Sequence, residues 1–295
     1  MQRCGYVALV GRPNVGKSTL LNRLLGQKIS ITAGRPQTTR HRILGIKTVH
    51  DTQCVYVDTP GIHLGRESAI NRYMNRAAST VLEDVDLVVF VVEALAWTGE
   101  DEHVLDRLGQ VRVPVLSAVN KVDKVKDKER LLPFIEQMRG RFEFEDIVPL
   151  SAATGENVQA LEQIVERRLP EGPHLFPADQ VTDRTERFLA AELVREKITR
   201  IMRQELPYGV TVSVERFSKK DEVLHISAVV WVERKGQKAI VIGKGGEMLK
   251  RIGRKARIDM ERMFGQRVFL QLWVKVKEGW SDDERSLREL GYSDE

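Results

Sequence analysis

Gly11-Arg12-Pro13-Asn14-Val15-Gly16-Lys17-Ser18 lies between a compact apolar run, Tyr6–Val10, and a helical pattern, Ser18–Leu25. G-x-x-x-x-G-K-[ST] between strand and helix wraps backbone N–H groups around polyphosphate oxygens. Glycine lets the backbone turn inward, and the following helix, entered through Thr19, offers the partial positive charge of its N-terminus. Lys17 is placed to reach β- and γ-phosphates as a point charge, and the Ser18 hydroxyl to ligate Mg2+. A chance glycine-rich turn is the bland alternative, and the flanking strand and helix weigh against it.

The base is chosen elsewhere. Asn120-Lys121-Val122-Asp123 ends another apolar run. A carboxylate at Asp123 can accept from both N1–H and N2–H2 of guanine, whereas adenine would leave it unpaired at a cost of roughly 1–3 kcal/mol or more. Alone this tetrapeptide could be a helix-capping loop; in register behind a phosphate loop it points to guanine. Ser151-Ala152-Ala153-Thr154-Gly155 follows the next strand, where a backbone N–H can meet guanine O6. Asp58-Thr59-Pro60-Gly61 also ends a strand: Asp58 can hold the Mg2+ shell through water, and the Gly61 N–H can bond a γ-phosphate and lose it on hydrolysis. The polar segment Ala33–Arg42 supplies threonines, one of which should complete the metal site.

These loops need a scaffold, and the first half supplies one. Val55–Asp58, Leu87–Val92, Val115–Asn120 and Ile147–Ser151 are apolar runs of the buried parallel-strand kind, alternating with helical patterns such as Val158–Leu169. Alternation of this sort implies a parallel sheet covered on both faces. Residues 170–183 hold three prolines and read as a linker. Asp183 with Glu186 then signals a helix start, Pro207 follows that helix, and Val210, Val212 and Val214 alternate as a strand. Ile226–Val232 is a further strand, Val268–Val276 a last one, and Ser281 with Glu284 reads as the capping box of a short final helix.

Hydrophobic residues make up 42% of the 295, enough for packed cores. No apolar run approaches the roughly 18–20 residues of a spanning helix, and the N-terminus lacks a secretory pattern, so a soluble, cytoplasmic chain is expected. Cys4 and Cys54 sit in apolar runs without metal-ligand spacing and read as buried thiols. Net charge is +5, and it is unevenly placed: Arg234–Arg267 has 11 basic and 3 acidic residues, whereas Glu278–Glu295 has 2 and 7. A basic stretch of this kind suits a polyanion, although charge runs are commonly only solvated faces.

GRPNVGKS, QTTRHR, DTPG, NKVD and SAATG, in that order, resemble the translation-factor-related GTPases. The finer wording, QTTRHRILGI, YVDTPGIH and the carboxyl-terminal WVKVKEGWSDDERSLRELGY, is similar to the Era-like family over essentially the whole chain. The resemblance implies an α/β P-loop GTPase domain with a mostly parallel sheet at 1–170, a linker at 171–182, and an α+β KH domain of the prokaryotic type at 183–295 with a short C-terminal helix. It implies slow GTP hydrolysis coupled to binding of single-stranded RNA, in assembly of the small (30S) ribosomal subunit near the 3′ end of 16S rRNA. Peripheral association with the inner membrane also comes with the family. By position, Thr39 becomes the Mg2+ ligand, with Thr38 its neighbour, and Asn14 a K+ ligand; Asn14 serving only to shape the loop stays open. Ile62 stands where many regulatory GTPases place a water-orienting glutamine, and isoleucine cannot orient water.

Against that background Gly243-Lys244-Gly245-Gly246 is not a second nucleotide site, because no hydroxyl follows its lysine. It fits G-x-x-G between two helical stretches, the KH signature that clamps a nucleic-acid backbone. Lys250, Arg251, Arg254, Lys255 and Arg257 add a positive flank for phosphates. Phe217, Trp231, Phe269, Trp273 and Trp280 are candidates to stack on bases, though aromatics in strand patterns mostly pack. The acidic tail is expected to be a surface helix, with shielding of the basic groove as the alternative. Two rival classes stay open: a GTPase docking its basic domain on anionic lipid or a protein, and a P-loop kinase or ATPase, which NKVD and SAATG oppose.

Overall fold

The computed structural model describes residues 1–35, 37–61, 68–202 and 209–292. Ile62 and Pro207 therefore lie outside the described residues. The chain forms two compact units: Met1–Ser30, Thr39–Gly65 and Met74–Asp183 make the first, and Arg184–Glu295 with Ile31–Thr38 and Arg66–Tyr73 the second.

Along the first unit run β1 (Arg3–Val10), α1 (Lys17–Leu25), β2 (Ile43–Val49), β3 (Thr52–Asp58), α2 (Ala69–Val81), β4 (Leu87–Glu93), α3 (Gly99–Leu108), β5 (Val115–Asn120), α4 (Leu131–Arg139), β6 (Asp146–Pro149) and α5 (Val158–Arg168); α2 begins within the second. Among the described residues its sheet has six strands in the order β2-β3-β1-β4-β5-β6. β2 and β3 are antiparallel and every other pair is parallel. β5 is buried throughout and β4 in all but its last residue, as strands covered on both faces must be. The order reverses at β1, and in such sheets ligands bind beyond the carboxyl ends of the strands at that reversal. The phosphate loop, DTPG, NKVD and SAATG all leave carboxyl ends, of β1, β3, β5 and β6.

The stretch expected as a linker is anchored on the first unit. Gln53 accepts the N–H groups of Leu175 and Phe176 at 2.8 and 3.0 Å and donates to the Phe176 carbonyl, while Gly45 bridges Thr182. Asp183 does not cap the next helix; it accepts from the Leu44 N–H, and Thr185 caps instead. Cys4 and Cys54 are buried free thiols, and burial pushes the Cys54 thiol up to about 12.

The second unit contains α6 (Glu186–Ile201), β7 (Val210–Lys220), β8 (Val223–Val232), α7 (Lys235–Ile242), α8 (Glu247–Phe264), β9 (Arg267–Val276) and α9 (Glu284–Glu289). β7 and β8 form an antiparallel hairpin and β9 joins β8 in parallel. Alternate strand residues, among them Val212, Val230 and Val274, make one core with the apolar faces of α6 and α8. The final helix is capped by Asp283, which accepts from the Ser286 N–H at 2.8 Å. Ser281, expected at the cap, spends its hydroxyl on Glu233, and the carboxylate is the stronger acceptor for helix N–H groups. Among the described residues no helix is long and apolar enough to cross a membrane.

Candidate functional site

Three side chains of the first unit converge, from the start of α1, the end of β3 and the segment before β2. Ser18 Oγ donates to Asp58 Oδ2 at 2.6 Å and lies 2.7 Å from Thr39 Oγ1. Ser30, fully buried, donates to the same carboxylate oxygen at 2.8 Å. Burial raises the pKa of Asp58, opposed by hydrogen bonds from Ser18, Ser30 and Thr39 and by the Lys17 charge. The other oxygen, Asp58 Oδ1, is buried without a hydrogen-bond partner. Two hydroxyls and one carboxylate with an orphaned oxygen are hard donors that fit Mg2+, which takes few protein ligands and completes its shell with water and phosphate. Ser30 carries no motif signal; Asn22 fixes its loop by accepting the N–H groups of Ile29 and Ser30 and donating to the Ser30 carbonyl.

Lys17 is buried and donates to the carbonyls of Gly11 and Arg12 at 2.8 and 3.0 Å. Desolvation lowers its pKa to about 8, with Asp58 opposing. The Arg12 side chain turns aside to Asp101 at 2.9 Å and Glu93 at 3.5 Å, so its part in the loop is played by its backbone. Gly16 has φ +107, and a Cβ there would stand 2.3 Å from Asn120 Nδ2. Gly61 also packs closely, against Pro13: an added Cβ would stand 2.8 Å from the proline ring. Thr59 is tied to the Leu9 carbonyl at 2.9 Å. Asn14 is exposed with φ +64, a left-handed conformation that asparagine tolerates.

Asn120 joins three loops. Its Nδ2 donates to the Val15 carbonyl at 2.7 Å, and its Oδ1 accepts the N–H groups of Lys121 and Ala152. Lys121 pairs with Glu93 at 2.6 Å. Ser151 donates to Asp123 Oδ1 at 2.6 Å, fixing a carboxylate that is otherwise exposed. Arg23 of α1 donates to the carbonyls of Ala152 and Ala153, a contact no motif announced.

In the second unit Gly243 (φ +73) ends α7, and Gly245 and Gly246, also at positive φ, lead into α8. A Cβ at Gly243 would be 2.6 Å from Met248 Cβ, whereas at Gly245 and Gly246 it would meet nothing within 4 Å. Beside this turn runs a groove of about 410 Å3 lined by Gly246 of the turn, by Leu249, Lys250, Gly253, Arg254 and Arg257 of α8 and by Leu270 and Leu272 of β9. Lys244 is exposed at its head. Arg251 is exposed but does not line the groove, because one residue along a helix turns the side chain by about 100°; Arg257 takes the third basic position.

Ile31–Thr38, the chain just before Thr39, packs within this second unit. Arg200 of α6 donates to the Thr32 carbonyl and Glu196 accepts the Thr32 N–H, at 2.7 and 3.0 Å. Arg195, salt-bridged to Glu192, donates to the Thr38 carbonyl. Glu192, Arg195 and Glu196 are buried charges on α6 that no motif announces.

Residues 6–121 match the model of the "50S ribosome-binding GTPase" family and residues 205–281 that of the "KH domain". The chain is 57% identical to the GTPase Era of Coxiella burnetii over 99% of its length and 98% of the relative's. It is 59% identical to that of Marinobacter nauticus over 99% and 96%. A crystal structure of a point variant of Aquifex aeolicus Era bound to GDP·AlF4− superposes with a TM-score of 0.96 at 38% identity, covering 99% of this chain and all of that one. A structure of Era with MgGDPNP and nucleotides 1506–1542 of 16S ribosomal RNA matches with the same score, identity and coverage.

Proposed function

Because this chain belongs to the Era family of GTPases, we infer that it is a GTP-hydrolysing switch whose nucleotide state sets its grip on single-stranded RNA. Its target is the 3′ end of 16S rRNA, and its role is assembly of the small ribosomal subunit, as the RNA in the Era complex supports. Residues 1–170 form the GTPase module, 171–182 the connection and 183–295 the RNA-binding module.

In the first module the Gly11–Thr19 loop holds the phosphates, Lys17 moving its ammonium from the loop carbonyls to phosphate oxygens. Ser18 and Thr39 offer hydroxyls to Mg2+, and Asp58 orients its water through the buried Oδ1. When bound, Mg2+ supplies charge neutralisation across the β- and γ-phosphates. The Gly61 N–H, held against Pro13, senses the γ-phosphate. Asp123, steadied by Ser151, accepts from guanine, and the turn at Ser151–Ala152 faces its O6, while Asn120 and Lys121 hold the two loops together. Asn14 sits on the loop to ligate K+. With isoleucine at 62, hydrolysis rests on charge stabilisation and is slow. In the second module Gly243–Gly246 admits the sugar-phosphate backbone, and Lys250 and Arg254 contact phosphates, with Arg251 adding charge from outside the groove.

One observation carries the coupling. The chain passes from one unit to the other between Thr38, whose carbonyl is held by Arg195, and Thr39, whose hydroxyl is beside Ser18. Thr39, were its hydroxyl to take Mg2+, would draw on the segment that α6 holds at Thr38. We place the protein in the cytoplasm with peripheral contact at the inner membrane through its basic module. Crosslinking the GTP-loaded protein to cellular RNA and sequencing the attached fragments tests the reading. Enrichment of the 16S 3′ end is expected; fragments scattered over all RNA, or capture only on anionic vesicles, would favour a lipid-docking GTPase.

A further inference from the structure

The glycine turn and its groove leave one surface of the second unit unexplained: the sheet face turned away from α6 and α8. Strand register places Ser218, His225 and Phe269 in one row of that face and Arg216, Ser227 and Gln271 in the next. Trp273 follows one row further on, beside Val229. Phe269 is 48% exposed and Trp273 44%, an unusual cost for two large rings on one strand. The remaining aromatic candidates are engaged. Phe217 packs edge-on against Phe264, Trp280 is fully buried, and Trp231 donates to Ser213 beneath the Lys275 ammonium, 5.5 Å from its ring. His225 lies 5.2 Å from Phe269 at 49° and props it upright.

Two further features indicate what covers this face. Its charge is basic: Arg216, Lys220, Arg267 and Lys275 stand on it by register, against Glu215 at the bulge, paired with Lys275 at 3.0 Å. The acidic Asp221 and Glu222 lie in the hairpin turn beyond the last row. The groove also leads there. A hollow of about 690 Å3 at the end of α8 is lined by Arg257, which lines the groove as well, and by Arg267 and Phe269, which belong to the sheet face. Exposed rings, small hydroxyls and a surplus of cations on a sheet are what single-stranded nucleic acid requires: π-faces for bases and positive charge for phosphates.

We propose that this face is a second RNA-contact surface, reached by a strand that leaves the groove past Arg257 and stacks bases on Phe269 and Trp273. The two rings are about 13 Å apart along β9, so they hold non-adjacent bases, and Gln271 between them faces the edge of the base in the middle. Arg267 and Arg216 meet phosphates. The inference rests on the groove reading above. It extends the RNA footprint beyond the nucleotides that the glycine turn can clamp.

The test uses the full chain with an RNA tetramer and a 16-mer containing it, in low salt. The double variant Phe269→Ala/Trp273→Ala should bind the tetramer as wild type does and the 16-mer at least tenfold more weakly. Phe269→Tyr/Trp273→Phe should restore the 16-mer to within about twofold. Arg267→Glu, remote from the core, provides the same readout should the double variant melt early. Unchanged 16-mer affinity in these variants would overturn the proposal, as would lost binding to anionic vesicles with RNA binding intact. If wild type binds neither RNA, the groove reading itself fails first.

Discussion

The chain has two glycine-lysine loops, and their surroundings differ more than their sequences. Around Gly16 and Lys17 the structure is closed. The ammonium is buried and bonded to carbonyls of its own loop, Gly16 has no room for a methyl group, and Asn120 ties the loop to NKVD and SAATG. Around Gly245 and Lys244 it is open: the lysine is exposed and the glycine has nothing within 4 Å of a would-be Cβ. A closed cradle suits a compact ligand contacted on all sides. An open turn suits a chain that must enter at one end of a groove and leave at the other. The same residue types thus serve recognition of a small molecule and clamping of a polymer, according to what is packed behind them.

Substitutions at the two loops should therefore fail in different ways, and the largest effect belongs to the closed one. Gly16→Val drives a branched side chain into Asn120 at a left-handed backbone, and GTP binding should be lost in a titration while RNA binding survives. Gly245→Asp finds open space around its side chain, at a left-handed φ of +60 that aspartate tolerates better than most residues, and its charge repels the RNA backbone. RNA retention in a mobility-shift assay should fall by at least an order of magnitude with GTP affinity unchanged; joint loss of both activities would erase the distinction. Asp123→Asn replaces an acceptor for two guanine donors by an amide. GTP affinity should drop roughly a hundredfold, and xanthosine triphosphate, with a carbonyl in place of the amino group, should become the better ligand in competition.

Burial of Lys17 predicts a smaller, pH-dependent effect. Its pKa in the free protein is about 8. Bound phosphates favour the charged form and raise it toward the ordinary value. Between those two values the complex holds more protons than the free protein, so binding takes up a proton. GTP affinity should fall with rising pH above 8 by up to tenfold per unit, and calorimetry at pH 9 in buffers of differing ionisation enthalpy should show the uptake. The smallest effect is at the groove wall: Arg254→Ala should weaken RNA binding a few-fold and flatten the slope of log affinity against log salt by about 0.7.

The chemistry was more legible in the sequence than the architecture that supports it. The phosphate loop, DTPG, NKVD, SAATG and GKGG are short, contiguous and spaced by backbone geometry, so their residue types alone define their surroundings. Ser30 was illegible because it reaches Asp58 through a loop that Asn22 shapes, a contact between distant residues with no spacing rule. The strand Ile43–Val49 went unread because an antiparallel edge strand with Gly45 and Lys47 lacks the continuous apolar run of its parallel neighbours. Helix starts at Asp183 and Ser281 were misplaced because several acceptors stood close together and tertiary contacts claimed the wrong ones. Arg251 was grouped with Lys250 and Arg254 by composition, whereas helical phase turns it off the groove wall. Alternation in Val268–Val276 separated two faces but could not show which of them a helix would cover; Phe269 and Trp273 proved to lie on the open one.

The coupling of the two loops is tested most directly by the affinity of the full chain for single-stranded RNA from the 16S 3′ end. It should be measured at fixed salt with a non-hydrolysable GTP analogue and then with GDP. A difference of about fivefold or more is expected, abolished by the paired variant Glu192→Ala/Arg195→Ala, which releases the Thr38 carbonyl without stranding a buried carboxylate. Equal affinities in the two nucleotide states would contradict the account.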